Sequence, residues 1–475
     1  MCVLINKTNK SVSGVALLVA GAFFMEFLDG TVIATALPQM AHTFATDVVR
    51  LNLGISAYLL TLAVLIPVSG WIADRYGAKN VFSLALVIFT LSSVLCGLSE
   101  NLTMFVAMRI LQGAGGALMV PVGRLAVLKN TPPEQLITAI ATLTWPALVA
   151  PIIGPPLGGF ITTWFDWRWI FFLNLPLGMI AFMLSRRLMK NSSDTGQRPF
   201  DITGFILSAL SMIGVVCSME MVSSDIPLPL TLGLSVISLA GLRITWWHMK
   251  RAPCPMIRMD ALSIPTFRAT LIGGFLFRSA ISAIPFLLPL MFQTGFHMDA
   301  FHSGLLVLAV FAGNLAIKPA TTRILRTFGF KTVLTVNGLL NVVAMVACAF
   351  FTPQTAHWLI MLVLFIGGMF RSLQFTAINT LVFCDVPKAQ MSHANALFSA
   401  SSQLSMGAGI TFCALSIYLA GRLGQTSQWL HGLPAVSFRL SFIALGVLCL
   451  IAMADILLLE KNAGSQVTAG KKASS

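Results

Sequence analysis

The chain has 475 residues, 57% of them hydrophobic and only 10% charged, with a mean hydropathy of +0.87; soluble domains carry about 25% charged residues, so a water-soluble globular fold is excluded. The formal charge is +14, yet the basic residues stand in short clusters between apolar runs, which reads as membrane topology and argues against a nucleic-acid interface. Eight cysteines fall singly, with no CxxC and no His/Cys cluster at metal spacing, which argues against a disulfide framework or a structural metal.

Apolar runs of membrane-spanning length recur throughout and predict an all-α membrane protein of about fourteen spans. The first six lie near 15–38, 51–72, 81–98, 103–127, 137–161 and 168–184. The first run is too long for a signal-peptide core and lacks a cleavage pattern, so it reads as an uncleaved span. A basic polar loop follows, then a pair near 202–221 and 228–247 and a second loop rich in Pro and basic residues. The last six spans lie near 269–292, 301–321, 332–351, 357–381, 393–420 and 436–459. This divides the chain into a six-helix bundle over 1–190, an insert over 191–268, a second six-helix bundle over 269–460 and a tail over 461–475. Fifteen Lys/Arg, among them Arg75, Lys79, Lys129, Arg186, Arg187 and Lys331, fall in the loops on one side, against Arg50, Arg168, Arg422 and Arg439 on the other. The positive-inside rule therefore places both termini in the cytoplasm.

Within the first span, VALLVAGAFFMEFLDGTVIATALP carries Glu26 and Asp29. Charges at mid-bilayer depth mark a proton or substrate path, and the i, i+3 spacing puts both on nearly one helix face, about 60° apart. Further charges inside spans are Arg109, Arg278, Lys318, Arg371 and Asp455. Lys318 is expected to snorkel to the interface and Asp455 lies near a helix end. Arg109 sits at a depth similar to that of Asp29, roughly 10–14 Å from the outer surface, so the two can pair. A movement that separates them would let the acid take a proton; the bland alternative is a static ion pair. Gln112, Thr31 and Thr35 suit a polar cavity, although each alone is more often a packing residue.

Between the second and third spans the chain reads Gly70-Trp-Ile-Ala-Asp74-Arg75-Tyr-Gly77-Ala-Lys79. Gly77-Ala-Lys79-Asn-Val81 recurs as Gly329-Phe-Lys331-Thr-Val333 at the same place in the second half, a faint internal repeat. The first copy resembles the G-x-L-a-D-R-x-G-x-K signature of the major facilitator superfamily, in its branch of fourteen-helix drug:proton antiporters. Leu28-Asp29-Gly-Thr31 through Pro38, Arg109-Ile-Leu-Gln112-Gly113, Gly154-Pro155-Pro-Leu-Gly158-Gly159 and Trp167 through Gly178 resemble further motifs of that branch. The chain departs from the pattern at Glu26, an added acid, and at Ala147 and Ala150, where glycine is favoured. In the second loop copy Arg326 replaces Asp74 and Thr322 replaces Gly70.

The resemblance implies the major facilitator fold, with two bundles around a midplane cavity and helices 1, 4, 9 and 12 lining it. It implies proton coupling at Asp29, with Glu26 and Arg109 beside it, and a substrate cavity of Glu26, Asp29, Arg109, Gln112, Arg278 and Arg371. The cytoplasmic gate would comprise Gly70, Asp74, Arg75, Gly77 and Lys79, with the Asp74 carboxylate aimed at the helix start around Ser392, His393, Ala394 and Asn395. Gly154, Pro155, Gly158 and Gly159 would form the antiporter motif of helix 5.

The function expected is proton-coupled efflux of small amphipathic or cationic compounds by alternating access, in a bacterial inner membrane. It requires no cofactor beyond the proton gradient and no catalytic or metal site, and its partners are substrate, protons and lipid. Export of a metabolite anion such as a siderophore or organic acid is the alternative, suggested by the arginines. A non-transporting sensor or assembly subunit is a third reading. The substrate and any periplasmic partner stay open at this stage.

Overall fold

The structure is a computed structural model that describes residues 2–46, 48–190, 199–222, 227–298, 300–426, 435–460 and 463–464; most of the expected tail over 461–475 lies outside them. In an apolar solvent every backbone N–H and C=O must be satisfied within the protein, and long apolar runs accordingly fold as helices. The first group contains α1 (Cys2–Thr43), α2 (Val48–Leu65), α3 (Ser69–Tyr76), α4 (Ala78–Gly97), α5 (Leu102–Asn130), α6 (Leu136–Trp164), α7 (Trp169–Phe172) and α8 (Asn174–Leu188). A pair follows, α9 (Ile202–Val222) and α10 (Leu228–Arg251). The last group contains α11 (Pro265–Ser282), α12 (Ile284–Leu290), α13 (Ala300–Ala316), α14 (Lys318–Phe328), α15 (Phe330–Cys348), α16 (His357–Cys384), α17 (Met391–Thr426) and α18 (Val436–Leu457).

Each expected span coincides with one helix or with a helix broken into consecutive pieces. Among the described residues ten helices are long and apolar enough to cross a membrane, or eleven when α13 and α14 count as one bent span. The breaks have local causes. A 3-10 turn over Ile66–Val68, containing Pro67, separates α2 from α3. Pro285 and Pro289 interrupt the ninth span, which ends in a π turn over Met291–Gly295. The chain bends by 51° between α13 and α14, where Pro319 follows Lys318 and supplies no N–H.

In the first group α1 packs on α6, α8 and α5, while α4 and α2 pack on α5. In the last group α11 packs on α18, α17 and α16, and α13 on α16. The pair α9 and α10 packs mainly on itself, with α9 also touching α2 and α17. The exposed Leu230, Leu232, Val236, Ile237 and Leu239 leave α10 an apolar outer face suited to lipid.

Small residues set the closest crossings, as expected where helices associate by packing. A Cβ on Gly313 of α13 would run into the carbonyl oxygen of Phe365 on α16, and one on Gly368 of α16 into that of Val310 on α13. The repeated loop motif also has a geometric reason. Gly77 and Gly329 adopt φ of 84° and 74°, in the range that favours glycine. Each donates its N–H to the preceding helix, to Ala73 and Leu325, and accepts from the following one, from Val81 and Val333.

Two glycine substitutions separate the two effects. Gly368→Ala meets backbone on another helix and should lower the unfolding midpoint of detergent-solubilised protein strongly. Gly329→Ala meets open space, so only backbone strain of roughly 1–3 kcal/mol acts. A midpoint for Gly368→Ala equal to wild type would contradict the packing argument.

Candidate functional site

At the centre of the first group, Asp29 of α1 is 6% exposed and Arg109 of α5 is fully enclosed. Arg109 Nη1 donates to Asp29 Oδ2 at 2.6 Å and to Gln112 Oε1 at 2.6 Å. The other carboxylate oxygen, Oδ1, accepts from Gln112 Nε2 at 2.9 Å and from Asn174 Nδ2 at 3.2 Å. Asn174 also donates to Ser93 Oγ at 2.9 Å, and Ser93 donates to the Phe171 carbonyl. The Arg109 guanidinium lies 4.5 Å from the Tyr58 ring centroid. One acid thus ties α1 to α5 and α8 directly and to α4 through Asn174. The Arg109, Gln112 and Asp29 positions read from the sequence come together as one cluster, and Asn174 and Ser93 complete it.

Glu26 stands one turn earlier on α1, with Oε2 buried and unpartnered among the described residues. Its carboxyl is close to Gly116 of α5, whose missing Cβ leaves 3.6 Å to Glu26 Cδ. The cation whose field reaches it is Arg124, which the sequence reading passes over because it lies near the end of the fourth span. The Arg124 guanidinium lies 5.6 Å from the Phe23 ring and 5.3 Å from the Phe398 ring, and donates to Ser399 Oγ at 3.4 Å. Its signal in the sequence is a charge three residues inside the expected span end.

Arg278 and Arg371 join neither acid. Arg278 of α11 lies 4.9 Å from the Phe398 ring centroid. Arg371 of α16 has the side-chain amide of Asn314 on α13 as its neighbour, the guanidinium donating to the amide oxygen. Lys318 does not reach the interface as the sequence suggests. It sits at the α13–α14 bend, where Nζ donates to Thr144 of α6 at 3.0 Å and to Thr376 of α16 at 2.9 Å; two hydroxyls inside the protein satisfy it better than apolar surface on the way out.

On α6 the glycines work as packing positions. A Cβ on Gly154 would collide with Thr31 Oγ1, and one on Gly158 with Thr35 Oγ1 and the Val32 carbonyl, whereas Gly159 faces open space. The side chains of Ala147 and Pro155 lie outside the described residues. Ala150 does not prevent the approach, since it is fully buried and its carbonyl accepts from Thr31 Oγ1 at 3.4 Å.

The loop motif differs from expectation in one pairing. Asp74 accepts from Lys129 of α5 at 3.1 Å and so is held within its own group, at the opposite end of α5 from Arg109. Contact with the start of α17 is made by Gly70, whose carbonyl accepts from Ser392 Oγ at 3.1 Å. A Cβ on Gly70 would lie 3.1 Å from Ser392 and 3.2 Å from Ala396. Arg75 is exposed against the Trp71 and Tyr76 rings, and Lys79 is half-buried in the first turn of α4. Around this contact Asn395 donates to the Pro121 carbonyl at 2.9 Å and Arg326 to the Glu134 carbonyl at 2.7 Å. The two groups are therefore closed against each other at the end that carries the basic loops.

Removing one member of the central pair leaves a buried charge uncompensated, a loss of about 3–5 kcal/mol. Asp29→Ala and Arg109→Met should each lower the unfolding midpoint of the purified protein. The double variant should lie closer to wild type than the two single effects added together. Strict additivity would show that the pair contributes nothing as a pair.

The family model described as Major Facilitator Superfamily matches residues 19–410 and 270–474. A relative from Serratia proteamaculans (strain 568) that carries the name multidrug resistance protein MdtD is 37% identical over 423 residues, covering 86% of each chain. One of the same name from Pectobacterium carotovorum subsp. carotovorum (strain PC1) is 37% identical over 416 residues, covering 86% of this chain and 89% of its own. Among solved structures, the human organic anion transporter MFSD10 (TETRAN) superposes with a TM-score of 0.65 at 14% identity, covering 94% of this chain and 99% of that one. The proton:xylose symporter XylE superposes at 0.64 and 13% identity, covering 96% and 98%; at such identities the likeness is one of fold. With the loop signature, the paired central acid and the two helical groups in place, this chain belongs to the Major Facilitator Superfamily.

Proposed function

We propose that this chain is a proton-coupled exporter of small amphipathic compounds, of multidrug type, working by alternating access in a bacterial inner membrane. Its name-bearing relatives support the multidrug reading, and the observation that carries the proton coupling is the Asp29–Arg109 pair at 2.6 Å. A carboxylate that is fully paired in one state and parted from its arginine in another changes its proton affinity between the two. Glu26 beside it, with an unpartnered oxygen, is the second proton site.

In this reading 1–190 and 269–460 are the moving halves, 191–268 is an insert, and fourteen spans leave both termini and the tail 461–475 in the cytoplasm. The energy source is the proton gradient, with no cofactor and no chemistry performed on the substrate. The basic end is then the cytoplasmic end. The contacts of Gly70 with Ser392, Asn395 with Pro121 and Lys318 with Thr144 close it, so in this reading the conformation described is closed to the cytoplasm. Arg75 and Lys79 mark the membrane surface beside this gate, Gly77 turns the chain between its helices, and Asp74 braces α3 on α5 through Lys129.

In proteoliposomes, Asp29→Asn should remove substrate transport driven by a proton gradient while sparing substrate counterflow, because an amide keeps size and hydrogen bonding but carries no proton. Gradient-driven transport at the wild-type rate in that variant, together with its loss in Glu26→Gln, would move the proton site to Glu26. Substrate-independent behaviour in every assay would remove the transport reading itself. The gate is tested by Gly70→Cys with Ser392→Cys in a background with Cys2 and Cys254 changed to serine, since Cys254 is exposed. Cross-linking should be rapid in the resting protein and should stop turnover, and absence of cross-linking would contradict a resting state closed to the cytoplasm.

A further inference from the structure

The buried charges of this protein do not balance locally. Asp29 is matched by Arg109, and Arg371 has the Asn314 oxygen. Arg278 is different. It is 3% exposed, and none of its three guanidinium nitrogens has a hydrogen-bond partner among the described residues. A guanidinium presents five N–H donors, and a buried cation without a partner is among the most destabilising features a fold can retain.

Its surroundings sharpen the imbalance. The Phe398 ring gives a cation–π contact at 4.9 Å, which attracts the charge but accepts none of the in-plane N–H groups. A second cation, Arg124, lies 5.3 Å from the same ring centroid. By the triangle rule the two guanidinium carbons are at most about 10 Å apart, near enough for both to act on one bound anion. Neither arginine forms an ion pair with an acid among the described residues: Arg124 donates only to Ser399 Oγ, and Arg278 has no hydrogen-bond partner at all.

The position is also built to hold the guanidinium where it is. Gly274, one turn earlier on α11, has no side chain, and a Cβ there would stand 3.2 Å from Arg278 Nη1 and 2.9 Å from Ile378 of α16. Phe398 and Ser399 lie on α17, Arg124 on α5 and Arg278 on α11, so the two cations come from opposite groups and meet where those groups face each other.

We propose that Arg278, assisted by Arg124, is an anion subsite of the transport path that takes the carboxylate of an organic substrate, with Phe398 against its apolar part. The compounds exported are then amphipathic acids and zwitterions in preference to simple lipophilic cations. This rests on the transport reading for the route of the compound, while the binding step stands alone. Arg278 supplies paired donors, which match a carboxylate in geometry as well as charge. Arg124, at 5.3 Å from the same Phe398 ring, adds a second positive charge on the facing group.

The test is a binding measurement on the purified protein in nanodiscs of neutral lipid, using three probes with one aromatic body: naphthalene-1-acetate, its methyl ester and 1-naphthylmethylammonium. The acid should bind wild type roughly tenfold or more tighter than the ester, the range expected when a charge-assisted hydrogen bond is gained, and tighter than the ammonium. That preference should vanish in Arg278→Gln and return in part in Arg278→Lys. Equal binding of acid and ester by wild type overturns the proposal without any variant, so a misfolded Arg278→Gln protein leaves it testable. A preference that survives in a folded Arg278→Gln protein overturns it too. Chloride that protects wild type against heat, with acid and ester binding alike, assigns the site to a small inorganic anion and overturns the substrate role. An Arg278-dependent preference for the acid in a protein that moves none of the probes in proteoliposomes would sustain the subsite and defeat the export reading, and the two failures are thereby distinguished.

Discussion

The first half is arranged around one carboxyl group kept in an apolar interior. Asp29 is tolerated there because Arg109, Gln112 and Asn174 converge on it, and each partner comes from a helix that must then lie against α1. The requirement extends outward. For α1 to hold Asp29 in that position its other flank has to fit closely on α6, and Gly154 and Gly158 supply the room beside Thr31, Thr35 and Val32. The second half has no counterpart to this pair among the described residues. Its buried arginines, Arg278 and Arg371, have no acid beside them, and amides such as Asn337 and Gln374 bond to each other, Asn337 donating to Gln374 at 2.8 Å.

The two halves are held together internally and to each other by different means. Inside a half, helices meet through glycine against backbone, as Gly313 does with Phe365 and Gly409 with Ser279, and such close-packed surfaces behave as solid bodies. Between the halves the contacts at the basic end are one close approach, of Gly70 to Ser392 and Ala396, and a set of separate hydrogen bonds, which can be exchanged for water one after another. A structure built this way yields at the seam before it yields within either half, which is the mechanical condition for rocking motion.

Much of this was legible in the sequence. Helical segments show because a bilayer admits few other folds, and the glycine of the loop motif shows because its backbone angle needs one. That Asp29 and Arg109 can pair shows in their similar depth, counted from the ends of their spans, while the contact itself is seen only in the structure. What the sequence hides is which way a side chain turns at a span end. Lys318 was expected to reach for the interface and turns inward onto Thr144 and Thr376, because the bend beside Pro319 redirects the helix. Asp74, expected to face α17, meets Lys129 of α5 instead, a choice between neighbouring helices that spacing along the chain does not display. Arg124 is hidden for a related reason: three residues of error in a span boundary separate a surface arginine from a half-buried one at the seam.

The acceptors across the seam carry a last consequence. Ser392, Asn395, Lys318, Arg326 and Arg124 all donate to neutral oxygens of the opposite half or to a hydroxyl, and the charged Asp74–Lys129 pair lies inside one half. Mobile ions screen attraction between opposite charges over roughly 10 Å at 0.1 M salt, but they weaken a hydrogen bond to a carbonyl far less. These closing hydrogen bonds among the described residues are therefore little weakened by added salt, and closure that rests on them persists as the salt content of the surrounding medium rises and falls.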